Sequence, residues 1–115
     1  MSEILSVASI LAADDRTIET VEVAEWGGSV KVQAFTKRQS SDIRRGAMVG
    51  DNVDSDLLEK ALFLNGVIEP IFTDEQYNLL MEKSAVAVDK VTKAVMEVSG
   101  MSEKAGKEAE ANFPS

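Results

Sequence analysis

The sequence predicts a small, mostly helical α+β domain: an N-terminal helix, one β-hairpin and a helical bundle after it. Residues 21–35 alternate apolar and polar side chains around a pair of glycines. Later segments repeat apolar residues at helical spacing, and several begin with capping residues. We expect one domain over 1–100 and a flexible polar tail over 101–115, because the tail loses the apolar pattern.

The first helix and the hairpin occupy the amino-terminal part of the chain. Residues 2–13 fit a helix capped by the serine at its start, since apolar side chains recur at helical spacing. The hairpin is expected to close at Gly27-Gly28, because paired glycines supply the positive φ angles of tight turns. In that register Val23 faces Val32 on a buried side, and the opposite side is mostly exposed to solvent.

Helical patterns begin at residue 36. Thr36 opens a capping box for a helix that runs to Gly46, and residues 46–53 are expected to form a loop. A leucine-rich helix then starts at Ser55. We expect Asn65-Gly66 to end it in a left-handed conformation.

The last elements are bracketed by capping residues. Residues 67–72 form an edge strand or a connector, because a proline interrupts them. Thr73 caps a helix that ends near Lys83, Ser84 caps the last helix, and Gly100 ends it. An apolar stripe runs along this last helix, with Val88, Val91, Val95 and Val98 on one face.

The composition excludes most enzyme chemistry. The chain has neither histidine nor cysteine, so it offers no imidazole base, no Cys or Ser-His nucleophile and no ordinary zinc site. We therefore expect no catalytic activity and no cofactor. The net charge of −8 disfavours binding to nucleic acid and to anionic membranes. Neither a signal peptide nor a membrane span is expected, so we predict a soluble protein.

The acidic residues between 51 and 59 are the candidate metal ligands. A calcium-binding EF-hand loop that began at Asp51 would need an oxygen ligand at Val53 and a glycine at Asp56. A loop that began at Asp54 would place Glu59 where glycine is required. Both registers fail, and we interpret these acids as favouring the positive end of a helix. No metal site is predicted.

Four apolar residues are candidates for contact with a partner: Trp26, Phe63, Leu64 and Met81. Trp26 either folds back over the helices or is an exposed anchor, since tryptophan is enriched in binding hot spots. Phe63 and Leu64 lie away from the main leucine stripe. They either complete a buried helix or form a surface patch for an amphipathic partner helix.

The order of these motifs resembles that of the tail assembly chaperones of long-tailed bacteriophages and prophages. The similarity spans nearly the whole chain, although no single motif is highly specific. It rests on a leader helix with Ile4-Leu5, the hairpin sequence of residues 21–32, the segment Pro70-Ile71-Phe72-Thr73-Asp74-Glu75, a helix pair joined by Lys83-Ser84, and a last helix that ends at Ser99-Gly100.

The resemblance implies a non-enzymatic chaperone that binds the tape-measure protein in the host bacterial cytoplasm and is absent from the mature virion. It also implies an extended form, made by ribosomal frameshifting, that recruits the tail tube protein. The main alternative is a structural virion protein, such as a head–tail connector or minor tail component. A bacterial adaptor is a third interpretation, and a homo-oligomer is compatible with all three.

Overall fold

The computed structural model describes residues 4–101, so the predicted tail after Met101 and the predicted first cap, Ser2, lie outside the described residues. Within 4–101 the chain forms five α-helices and a three-stranded antiparallel sheet in the order β1-β2-β5, which confirms the α+β prediction. The elements are α1 Val7–Ala12, β1 Ile18–Val23, β2 Gly28–Gln33, α2 Lys37–Gly46, β3 Met48–Val49, β4 Asn52–Val53, α3 Ser55–Gly66, β5 Val67–Glu69, α4 Asp74–Leu80 and α5 Ala85–Val98.

The hairpin β1–β2 forms as predicted, but the predicted register is wrong. Val23 pairs with Gly28 instead of Val32, which is a displacement of four positions. A 3₁₀ turn at Ala24–Trp26 lengthens the connection, and Gly27 follows it with a φ of 71°. Because the displacement is even, the predicted valines still face the core.

The core lies on one face of the sheet. Helix α5 packs across β1 and β2, and α3 packs against both α5 and α2. The predicted stripe of α5 is confirmed, since Val91 and Val95 are fully buried and Val88 is nearly so. Valine costs up to roughly 0.7 kcal/mol in a helix relative to alanine, whereas burying its side chain returns roughly 1.5–3 kcal/mol. Tertiary packing therefore stabilises α5.

The predicted left-handed stop at Asn65-Gly66 is wrong. Gly66 is the last residue of α3, and the glycines with positive φ within 4–101 are Gly27, Gly50 and Gly100. A Cβ at position 66 would lie 2.6 Å from Val95 Cγ2 and closer still to Val95 Cγ1. The absence of a side chain at Gly66 thus allows the end of α3 to approach α5 closely.

The helix caps agree with the sequence at most positions. Thr36 and Thr73 each form a complete capping box, and Ser84 caps α5. Two predicted boundaries are wrong. Helix α1 is capped by Ser6, whose side chain accepts a hydrogen bond from the Ser9 amide, and it is therefore much shorter than 2–13. Helix α4 ends at Leu80, with turns rather than helix up to Lys83.

The end of α5 turns the chain back onto the domain. Gly100 has a φ of 73°, and the Met101 amide donates a 2.7 Å hydrogen bond to the Met96 carbonyl. The Gly100 amide bonds to Glu97, which completes a Schellman motif. Met101 is half-buried against the core. Met101 thus packs on the domain, next to the end of α5.

Residues 46–53 contain regular structure, although the sequence predicted a loop. Strands β3 and β4 pair as a two-stranded ribbon, with Met48 opposite Val53 and a turn at Gly50. The Asp54 amide donates a 2.7 Å hydrogen bond to the Ala47 carbonyl, which closes the base of the ribbon. Among the helices described within 4–101, none has both the length and the apolar character needed to cross a membrane.

Candidate partner-binding cleft

An open apolar cleft of about 560 Å³ lies between α2, the β3–β4 ribbon, α3 and the turn after α5. We call it the ribbon cleft. Its apolar wall is formed by Ala47, Met48, Val53, Leu58 and Met101. Its volume is in the range of sites that accept apolar side chains or small ligands.

The local sequence explains how the cleft arises. Met48 and Val53 are directly opposite each other in the ribbon, so both side chains project from the same face. Met48 is 44% exposed and Val53 is 56% exposed, although both line the cleft. The left-handed Gly100 turns the chain so that Met101 also lines the cleft. The cleft therefore presents apolar surface that nothing within residues 4–101 covers.

Two arginines from the last turn of α2 border the apolar wall. Arg44 and Arg45 both line the cleft, and Arg45 forms a 2.6 Å ion pair with Asp42 one turn earlier. Cations are favourable at a helix C-terminus because of the helix dipole. The cleft thus has two guanidinium groups at its edge, one of them paired with a carboxylate, on a protein whose net charge is −8.

Two of the four predicted partner contacts share another surface. Trp26 is half-buried and lines a groove of about 320 Å³ together with Phe72 and Leu80. Met81 is 49% exposed and lines a smaller neighbouring pocket. Leu80 and Lys83 line both, so Trp26 and Met81 flank one continuous surface beside α4.

Phe63 is not available to a partner, which corrects its prediction as a contact residue. Its side chain is 0% exposed, and its ring centroid lies 5.2 Å from that of Phe72 and 5.4 Å from that of Tyr77. Leu64 is half-buried against the same core. The sequence allowed Phe63 either to complete a buried helix or to form a surface patch. The structure shows the first of these.

The acidic residues near α3 act locally. Asp54 caps α3 by accepting a 3.1 Å hydrogen bond from the Leu57 amide. Among the described residues, no group of three or more potential ligands is placed to hold a metal ion.

Burial raises the pKa of Tyr77, and the nearby carboxylates of Glu59, Asp56 and Asp89 raise it further, so this phenol stays neutral at physiological pH.

We expect the melting temperature to be insensitive to a chelator and to millimolar calcium. The reason is that Asp54 already caps a helix and that the sequence lacks a workable calcium loop. Thermal unfolding followed by circular dichroism, with EDTA or with calcium, measures this. A rise of more than a few degrees on adding calcium would show that the acids at 51–59 bind the ion.

Sequence reasoning missed the ribbon cleft. The available signal was a pair of apolar residues, Met48 and Val53, on either side of the turn at Gly50-Asp51. Comparison of the chain with protein-family models, with curated proteins and with solved structures gives no match. The fold and the cleft define a small α+β domain with an open apolar cleft.

Proposed function

We propose that this protein is a non-enzymatic assembly chaperone that binds a phage tape-measure protein and keeps it soluble during tail morphogenesis. It would act in the host bacterial cytoplasm and be absent from the mature virion. An extended form of the chain would add the tail tube protein as a second partner. The observation that carries the proposal is the ribbon cleft, which presents an apolar wall to solvent.

The chemistry of the cleft suits an amphipathic helix. A helix that docks in a groove inserts apolar side chains spaced three or four residues apart. Met48, Val53, Leu58 and Met101 offer an apolar surface for such side chains. Arg44 at the edge offers a charge for an acidic residue on the flank of the same helix. Tape-measure proteins are long helices with apolar stripes, which aggregate unless they are covered.

The charge of the protein supports the same role. A complex coated with copies that each carry −8 is kept dispersed by mutual repulsion. The excess of acids over Lys and Arg also opposes binding to phosphate backbones, so nucleic acid is not proposed as a partner. The resemblance in motif order described above is the reason for proposing the tape-measure protein as the partner.

Co-expression with the tape-measure protein from the same gene cluster tests the proposal. The wild-type chain should keep that partner soluble and co-purify with it. The double variant Met48→Glu/Val53→Glu should lose both effects, because it places two charges on the apolar wall. Both side chains are exposed, so the variant should still fold.

Val86→Glu is the matched control, since Val86 is an exposed valine that does not line the ribbon cleft. It should retain full activity. If both variants keep the tape-measure protein equally soluble, the ribbon cleft is not its binding site. Stoichiometric amounts of the protein in purified virions, with no effect on tape-measure solubility, would instead favour a head–tail connector or minor tail component.

A further inference from the structure

The amino-terminal arm, residues 4–13, is apolar and is not buried by any other part of the chain within residues 4–101. Its sequence, Ile-Leu-Ser-Val-Ala-Ser-Ile-Leu-Ala-Ala, contains no charged residue. None of its residues is buried, and Ile4 and Leu11 are 100% and 80% exposed. Helix α1 within it has only six residues, whereas an isolated helix needs roughly 12–15 to be even marginally stable. The arm therefore needs a packing surface from elsewhere.

The root of the arm is fixed to the domain. Arg16 Nε donates a 3.0 Å hydrogen bond to the Ala34 carbonyl, and its Nη2 donates a 3.4 Å hydrogen bond to Gln39 Oε1. The arm thus leaves the domain from the end of the hairpin beside the first turn of α2. Asp14 and Asp15 lie between this anchor and the apolar residues.

The arm and the ribbon cleft are complementary in chemistry. The arm is an apolar segment followed at once by two carboxylates. The cleft is an apolar wall bordered by two guanidinium groups, that of Arg44 and that of Arg45, which also pairs with Asp42. Both surfaces are uncovered within residues 4–101. The charges that flank the two apolar surfaces are thus of opposite sign.

We propose that the arm of one copy of this chain docks in the ribbon cleft of a second copy. Reciprocal exchange uses both arms and both clefts and closes a twofold dimer. The inference goes beyond the proposed function and does not rest on it, because it requires only this chain. If both hold, a tape-measure segment must displace the arm to occupy the cleft.

Sedimentation velocity of the purified chain over a range of concentrations tests the proposal. The wild-type protein should be a dimer in equilibrium with monomer. Leu5→Glu/Ile10→Glu should raise the dissociation constant at least about tenfold, because each substitution removes an apolar side chain from the interface. Met48→Glu/Val53→Glu should do the same. Val86→Glu should leave it unchanged. At concentrations where the wild type is monomeric, all three should have the wild-type melting temperature, because a dimer would otherwise add to the stability of the wild type.

A charge-reversal pair separates docking in a second copy from docking in the same copy. The variants Asp14→Arg/Asp15→Arg and Arg44→Asp/Arg45→Asp should each dimerise several-fold more weakly, because like charges then meet at the edge of the cleft. In an equimolar mixture each arm finds an oppositely charged cleft on the other variant. The mixture should therefore recover wild-type dimerisation, which docking within one copy cannot produce.

Three results would overturn the proposal. The first is a wild-type protein that stays monomeric at every concentration. The second is a dimer that the arm variant does not weaken. The third is a mixture of the charge-reversed variants that dimerises no better than either alone. All are measured without a tape-measure protein, so they are independent of the co-expression result.

Discussion

Replacing Val91 with aspartate should lower the free energy of unfolding by about 4 kcal/mol, or prevent folding. Val91 is 0% exposed in the middle of α5, where that helix crosses the sheet. A carboxylate there loses its hydration and has no partner, which is among the most destabilising single changes known. Urea or thermal denaturation of the purified variant measures the loss.

Val86→Asp is the matched control for this prediction. It makes the same chemical change in the same helix, but Val86 is 69% exposed in the first turn of α5. An acid near a helix N-terminus is favourable, so this variant should be as stable as the wild type or slightly more stable. If the two variants unfolded alike, the placement of α5 against the sheet would be incorrect.

Gly66→Ala should destabilise the protein by about 2 kcal/mol, although alanine normally stabilises a helix. Within a helix, alanine is favoured over glycine by roughly 0.5–1 kcal/mol. At position 66 its methyl group would overlap the buried side chain of Val95, and such overpacking typically costs about 1–3 kcal/mol or occasionally more. The steric cost should exceed the gain in helix propensity.

Gly46→Ala provides the comparison, because Gly46 is also the last residue of a helix but has open space where the alanine methyl group would lie. That substitution should be neutral or stabilising. The double variant Gly66→Ala/Val95→Ala should be destabilised by less than the sum of the two single changes, since the two side chains compete for one volume. A stabilising effect of Gly66→Ala alone would mean that α3 and α5 are farther apart than described.

The sequence predicts helices and strands better than it predicts their contacts. The capping boxes at Thr36 and Thr73 could be identified because all the interacting groups lie within four residues. The hairpin register could not be identified in this way. The predicted and observed registers differ by an even number of residues, so both present the same valines to the core. Only the 3₁₀ turn that contains Trp26 distinguishes them.

The candidate site depends on contacts between distant segments. Phe63 is buried because Phe72 and Tyr77 pack around it, and its position in α3 does not reveal this. Gly66 follows an asparagine, which is the pattern of a left-handed helix stop. Its actual role is to leave room for Val95 of another helix. The ribbon cleft joins Met48 to Met101, and no local pattern indicates that such residues meet.

The two outer strands of the sheet limit how this protein can aggregate. β1 and β5 each present an edge to which a foreign strand could add by backbone hydrogen bonding. On β1, Glu19 lies on the same side as Val21 and Val23, so an added strand would bring its own apolar side chains against a carboxylate. On the other edge, Pro70 directly follows β5 and lacks an amide hydrogen. Addition of a foreign strand to either edge is therefore unfavourable. This opposes the growth of cross-β fibrils from the sheet, even though apolar side chains are exposed elsewhere in the protein.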